Sequence, residues 1–165
     1  MMLITLGAIG GSAFQPTLAQ DSSVFPVTIE HKFGSTTITK KPERIVVLGY
    51  TEQDIYFALG EKPVAVREWF GEVPHGIFPW AVEAAGDAEP IVLNMPYGSL
   101  NYEAILELQP DLISAVDAGI TQEEYERLSQ IAPTLAQTDD YIDFGTPWQE
   151  ATRLIGKAIG KSELT

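Results

Sequence analysis

Five short apolar runs, separated by stretches with helix signals, narrow this chain to a small set of folds. They are "RIVVLG" (44–49), "PVAV" (63–66), "PIVLN" (90–94), "DLISAV" (111–116) and "PTLAQ" (133–137). The first is continuously apolar, as expected of a strand covered on both faces, and the others read as strands in the same sheet. Between them lie helix signals. Thr51 opens a T-x-x-D start before "EQDIYFALG", which ends at Gly60. Thr121-x-x-Glu124 reads as a capping box for a helix whose Tyr125, Leu128 and Ala132 share a face. Thr146-x-x-Gln149 reads as another capping box, with Pro147 at the first helical position and Ala151, Leu154, Ile155, Ala158 and Ile159 on the buried stripe. Strands alternating with helices imply an α/β fold, a mainly parallel sheet flanked by helices.

Two segments stand outside that alternation. "VTIEHKFGSTTIT" (27–39) alternates on both sides of a Phe33-Gly34-Ser35 turn and predicts an N-terminal β-hairpin. "EWFGEVPHGIFPWAVEAAGDAE" (68–89) is rich in Gly, Pro and aromatics, and reads as loop with a helical piece over residues 80–85. Upstream, the first twenty residues carry no charge, and an apolar run leads to Pro16 and then "TLA" before Gln20. That pattern predicts a secretion signal, although no Lys or Arg precedes the run. Gly, Ser, Gln and Pro break it well short of a membrane-spanning helix.

Charge and cysteine content exclude several functions. The net charge is −13 over 165 residues, which disfavours nucleic acid and binding to an anionic membrane surface. An anionic ligand would need a local basic group. With no cysteine, disulfides, thiolate metal sites and a lipid-modified Cys anchor are excluded within this chain. No G-x-S-x-G elbow, Walker loop or Rossmann glycine pattern occurs, so no catalytic residue is assigned. His75 with Glu68 and Glu72 matches no compact ligand spacing, and His31 lies in the hairpin; no metal site is predicted. The carboxylate pairs Asp139-Asp140 and Glu123-Glu124 read as solvated charge.

In a parallel sheet, ligands bind beyond the carboxyl ends of the strands. Those ends are 49–51, 67–70, 94–99, 117–121 and 138–146, and they are rich in Tyr, Trp, Phe and Gly. Arg67 is the basic residue at one of them. It could hold a ligand oxygen, or form a surface ion pair with Glu68 or Glu72. Trp69 could be an aromatic wall or ordinary loop packing, and Phe70, Tyr50, Tyr97 and Tyr141 pose the same choice.

The ordered set of segments resembles a known family. The hairpin, "KPERIVVLG", "LGEKPVAV", "NYEAILELQPDLIS", "LSQIAPTLAQ" and "GTPWQEATRLIGKAIGK" are similar to the iron–siderophore substrate-binding proteins of bacterial ABC importers. "EWFGE", "DAGITQEEYERL" and "GTPWQE" resemble actinobacterial members in particular. The resemblance implies one Rossmann-like lobe of a two-lobed, rigid-helix protein. Its implied organisation is a signal-like segment over 1–20, a ligand-binding lobe over 21–146 and the start of the inter-lobe helix over 147–165, with the second lobe absent. It also implies a ferric siderophore as ligand, with iron bound only through the chelate and no cofactor. An ABC permease would be the partner, and the location would be extracytoplasmic. Haem and vitamin B12 are alternative ligands, since the same layout serves them; a small hydrolase-type enzyme or a fragment without function is the remaining alternative.

Glu103 has two readings. In the first turn of its helix it complements the helix dipole, with Ser99 or Asn101 as cap. The resemblance instead implies that a glutamate in this "N-x-E-x-I" context docks on arginines of the permease.

Overall fold

A computed structural model describes residues 24–164. The signal-like segment and the boundary at residue 20 lie outside the described residues. Seven strands and five helices follow in chain order. β1 (Val27–His31) and β2 (Gly34–Ile38) form the antiparallel hairpin. β3 (Ile45–Val47), β4 (Ala65–Arg67), β5 (Ile91–Leu93), β6 (Leu112–Ala115) and β7 (Thr134–Ala136) form one parallel sheet in the order β5-β4-β3-β6-β7. The helices are α1 (Glu52–Ala58), α2 (Val82–Ala85), α3 (Tyr102–Glu107), α4 (Gln122–Ser129) and α5 (Trp148–Ala158). The predicted α/β class, hairpin and five sheet strands are all present.

The sheet strands are short; β3, β4, β6 and β7 are buried throughout, and alternate residues feed two cores. Val47, Val66, Leu112 and Leu135 pack with Tyr56 of α1, Ile155 of α5 and Ile29 and Ile38 of the hairpin. Val46, Leu48, Ala65 and Ile113 face the other way and pack with Ile105 of α3 and Leu128 of α4. A third, smaller cluster joins Phe57 of α1 to Ala81, Ala85 and Ala88 around α2. The stripe expected on α5 is buried at all five positions.

Strand order explains where a ligand can sit. From β3 the chain winds outward through β4 to β5, returns to the middle at β6 and winds the other way to β7. The direction therefore reverses between β3 and β6, and the connections leaving their carboxyl ends diverge to open a crevice.

Three local expectations are corrected. The hairpin turn is Lys32-Phe33, because His31 pairs with Gly34 across it, and Gly34 adopts φ +120 as the first residue of β2. Thr51 does not cap α1 with its side chain; its hydroxyl donates to Asp117 Oδ2 at 3.3 Å. The Thr146 box is not formed either. Pro147 occupies the cap position with an extended backbone, so the helix begins at Trp148, one residue later than predicted, and the Thr146 hydroxyl is buried without a partner among the described residues. By contrast the Thr121 box is complete. Glu124 N–H donates to Thr121 Oγ1 at 3.2 Å and Thr121 N–H to Glu124 Oε2 at 2.8 Å.

Candidate functional site: the carboxyl rim of the sheet

The backbones of β3 and β6 stay paired beyond their ends. Leu48 N–H donates to Ser114 O at 2.8 Å and Tyr50 N–H to Asp117 O at 3.3 Å. This carries Tyr50 to the rim of the crevice. One strand over, Arg67 is the last residue of β4 and is only 2% exposed. Its Nε donates to Met95 O at 2.6 Å, and its guanidinium carbon lies 4.5 Å from the Tyr50 ring centroid. Nη2 is buried with no hydrogen-bond partner among the described residues. Burial lowers the guanidinium pKa, and the nearby Tyr50, Glu124 and Tyr97 oppose that shift. It remains a cation, since arginine titrates far above neutral pH. The alternative of a surface ion pair fails: among the described residues neither Glu68 nor Glu72 pairs with Arg67. A buried cation with an unused N–H is costly unless something else meets it.

Aromatic side chains at the carboxyl end of the sheet form two groups. Trp69 meets Phe70 edge-on at 4.5 Å and Phe78 at 5.6 Å, and Phe78 stacks on Trp80 at 4.7 Å. Trp80 Nε1 donates to Asp54 Oδ2 at 2.7 Å, tying this ladder to α1. The second group is Tyr50, Phe144 and Tyr97, with centroids 6.1 Å and 5.7 Å apart around Phe144. Trp69, Phe70, Tyr97 and Phe144 are 43%, 53%, 60% and 46% exposed, which is high for rings of this size. A depression of about 500 Å³ beside Tyr97 is lined also by Gly119, Glu124 and Arg127. Tyr141 is not brought into either group. It is half-buried in the β7–α5 loop, and its carbonyl accepts from Gln137 Nε2 at 2.9 Å.

Glu52 is a residue that sequence reading missed. An acid at the first position of a helix looks like dipole complement, yet this one is 1% exposed. Ser114 Oγ and Asp117 N–H both donate to its carboxylate, so it ties α1 to the end of β6 across the crevice. Gly49 leaves room for it; a Cβ there would stand 1.8 Å from Glu52 Oε1. Burial pushes its pKa up to about 7, against the lowering effect of those two hydrogen bonds. The only sequence hint was Gly49 three residues ahead of an acid at a strand–helix turn. Elsewhere, His75 sits in a 3-10 turn with φ +55, and no cluster of three metal-ligating side chains exists among the described residues.

Glu103 is exposed on α3, and the cap of that helix is Asn101, whose side chain accepts from Ala104 N–H at 3.0 Å. The helix therefore does not depend on Glu103 for its start.

Comparison with known proteins agrees with this architecture. A family model described as periplasmic binding protein matches residues 45–163. A probable siderophore-binding lipoprotein of Bacillus subtilis is 33% identical over 139 residues, covering 82% of this chain and 39% of its own length. A periplasmic solute-binding protein from Mycobacterium smegmatis superposes with a TM-score of 0.78 at 45% identity, over 84% of this chain and 48% of its own. Streptococcus pneumoniae PiaA in complex with ferrichrome gives a TM-score of 0.74 at 31% identity, over 84% of this chain and 46% of its own. The chain thus spans less than half the length of each of these relatives. With 119 of its 165 residues inside the family model, this chain belongs to the periplasmic binding protein family.

Proposed function

We propose that this chain is the N-terminal lobe of an extracytoplasmic binder that takes up a ferric siderophore and delivers it to an ABC permease. The observation that carries this reading is Arg67. A guanidinium buried at the carboxyl rim, stacked on Tyr50 and holding an unused N–H, suits an anionic oxygen of a bulky ligand. In a chain of net charge −13, such a ligand needs a local cation. Trp69, Phe70, Tyr50 and Tyr97 would grip the apolar surface of the chelate, giving large contact area at low rotamer cost. Iron would arrive already coordinated, so the protein needs no metal ligands of its own. Relatives that bind siderophores support the ligand class.

The same reading covers the rest of the chain. The exposed aromatic rim would face a second lobe, with α5 as the start of the connecting helix. Relatives named as binding proteins support a role in binding rather than catalysis. Glu103, exposed and not required as a cap, would pair with permease arginines; such surface charges mainly set encounter and register.

The test is a titration followed by tryptophan fluorescence, with ferric siderophores, haem and cyanocobalamin as ligands and generic esters as substrates. Saturable quenching by a ferric siderophore, with no ester turnover, is expected. Tighter binding of haem or cyanocobalamin would reassign the ligand.

A further inference from the structure

At the rim, Phe144 adopts a conformation that its side chain does not favour. Residues 142–145 make a turn closed by Gly145 N–H on Ile142 O at 2.9 Å. Phe144 is the third residue of that turn, with φ +60. Glycine or asparagine is the ordinary occupant of a left-handed turn position, because a Cβ there is crowded. A phenylalanine is strained there, and persists only if its surroundings hold it. They do so through the ring. Tyr50 lies at 6.1 Å with planes 24° apart, and Tyr97 at 5.7 Å. The floor is Gly119, where a Cβ would stand 2.6 Å from Phe144 Cζ and 3.0 Å from Tyr97. The neighbouring Asp143 is held by an ion pair with Lys32. Yet the ring is 46% exposed, so this seat lies at the surface of the rim and is no part of the core.

The position of the seat gives it meaning. Tyr50, one of its walls, is the ring that carries the Arg67 guanidinium at 4.5 Å. We infer that the Phe144 ring fills the place of an aryl group of the ligand, which is therefore a chelate presenting a planar aromatic ring beside an anionic oxygen. The ligand's ring stacks against Tyr50 and Tyr97 over Gly119, its oxygen meets Arg67, and the 142–145 turn moves off and releases its left-handed residue. A hydroxamate or a polycarboxylate supplies the oxygen but no ring, and leaves Phe144 in its strained place. This inference rests on the chelate-binding reading above and narrows the ligand within it.

The test titrates the full 165-residue chain with three gallium(III) chelates: one of 2,3-dihydroxybenzoate, one of a linear trihydroxamate and one of citrate. Binding is followed by tryptophan fluorescence and by the ring-proton signals of Tyr50 and Tyr97. The dihydroxybenzoate chelate is expected to bind at least about tenfold tighter than the others and to move both tyrosine signals. Phe144→Ala should then strengthen that chelate by about three- to tenfold, the size of one aromatic pair, and leave the trihydroxamate unchanged. Phe144→Asn, which suits the left-handed position, should give the same gain with the turn intact. Weaker binding of the aryl chelate in both variants, or a trihydroxamate or citrate chelate that binds as tightly, overturns the inference and leaves the chelate reading standing. Failure of all three chelates to bind overturns both.

Discussion

The interior of the sheet and its carboxyl rim are built from the same five strands on opposite terms. Inside, Val46, Val47, Leu112, Ile113 and Leu135 are apolar, fully covered and paired by the regular parallel ladder. At the rim, a few residues further along each strand, an arginine keeps an unused N–H, a phenylalanine sits at φ +60, and a glutamate is buried with its pKa near 7. Interiors tolerate few such features, because each opposes folding. These three lie at the carboxyl end of the sheet, the end where ligands bind in parallel sheets.

The largest expected effect breaks the interior and leaves the rim chemistry untouched. Ile113→Ala on β6 removes a side chain with 0% exposure between α3 and α4. It should cost about 2–5 kcal/mol, the sum of lost transfer energy and the cavity left behind. Chemical denaturation would show it as a lower midpoint at unchanged slope; a loss below about 1 kcal/mol would mean that the core collapses around the gap.

Next comes Glu52, the rim residue with the clearest link to stability. Its folded pKa, about 7, lies above the ordinary 4.5. The folded state therefore binds more protons than the unfolded state between these values, and stability falls as pH rises from about 4.5 to 7. The span of roughly 2.5 units corresponds to about 3 kcal/mol as an upper figure. Glu52→Gln removes the charge and retains an acceptor for Asp117 N–H. Its melting temperature should exceed wild type at pH 8 and match it near pH 4.5. Equal pH profiles for the two proteins would show that Glu52 titrates alike in the folded and unfolded states, with no upward shift on burial.

The smallest effect separates the rim from the outer surface. Glu103→Ala should leave the melting temperature within about 2 °C, since Asn101 caps α3 and exposed substitutions seldom matter more. Ligand affinity should also hold, while uptake through a cognate permease falls. Wild-type uptake would return Glu103 to its helix.

The two regions also differ in how far the sequence revealed them. The interior was legible because a strand covered on both faces must be a continuous apolar run, and each of the five runs became a strand. The Thr121 box was legible because both of its bonds are local. The same motif misled at Thr51, whose hydroxyl is used by Asp117, 66 residues away in sequence, and at Thr146, where Pro147 takes the cap position. At the rim, Arg67 could be picked out by its place at a strand end, but its burial and its unused N–H depend on Met95 and Tyr50. Tyr141 matched the pattern of rim aromatics, yet it joins neither aromatic group among the described residues. Glu52 was invisible as a special residue, since it is defined by contacts across the switch point; Phe144 could be placed among the rim aromatics, but its strain is a backbone angle that no pattern reveals.

The central claim is that the rim's unused cation belongs to an anionic ligand, and Arg67→Gln tests it most directly. Affinity for a ferric siderophore would be measured by titration, with thermal melting as the control for folding. The account predicts a loss of about 1.5–3 kcal/mol, the range for hydrogen bonds to charged groups, with a melting temperature equal to wild type or higher because a desolvated charge is gone. Unchanged affinity in a folded Arg67→Gln protein would contradict it, and would return Arg67 to the architecture of the lobe.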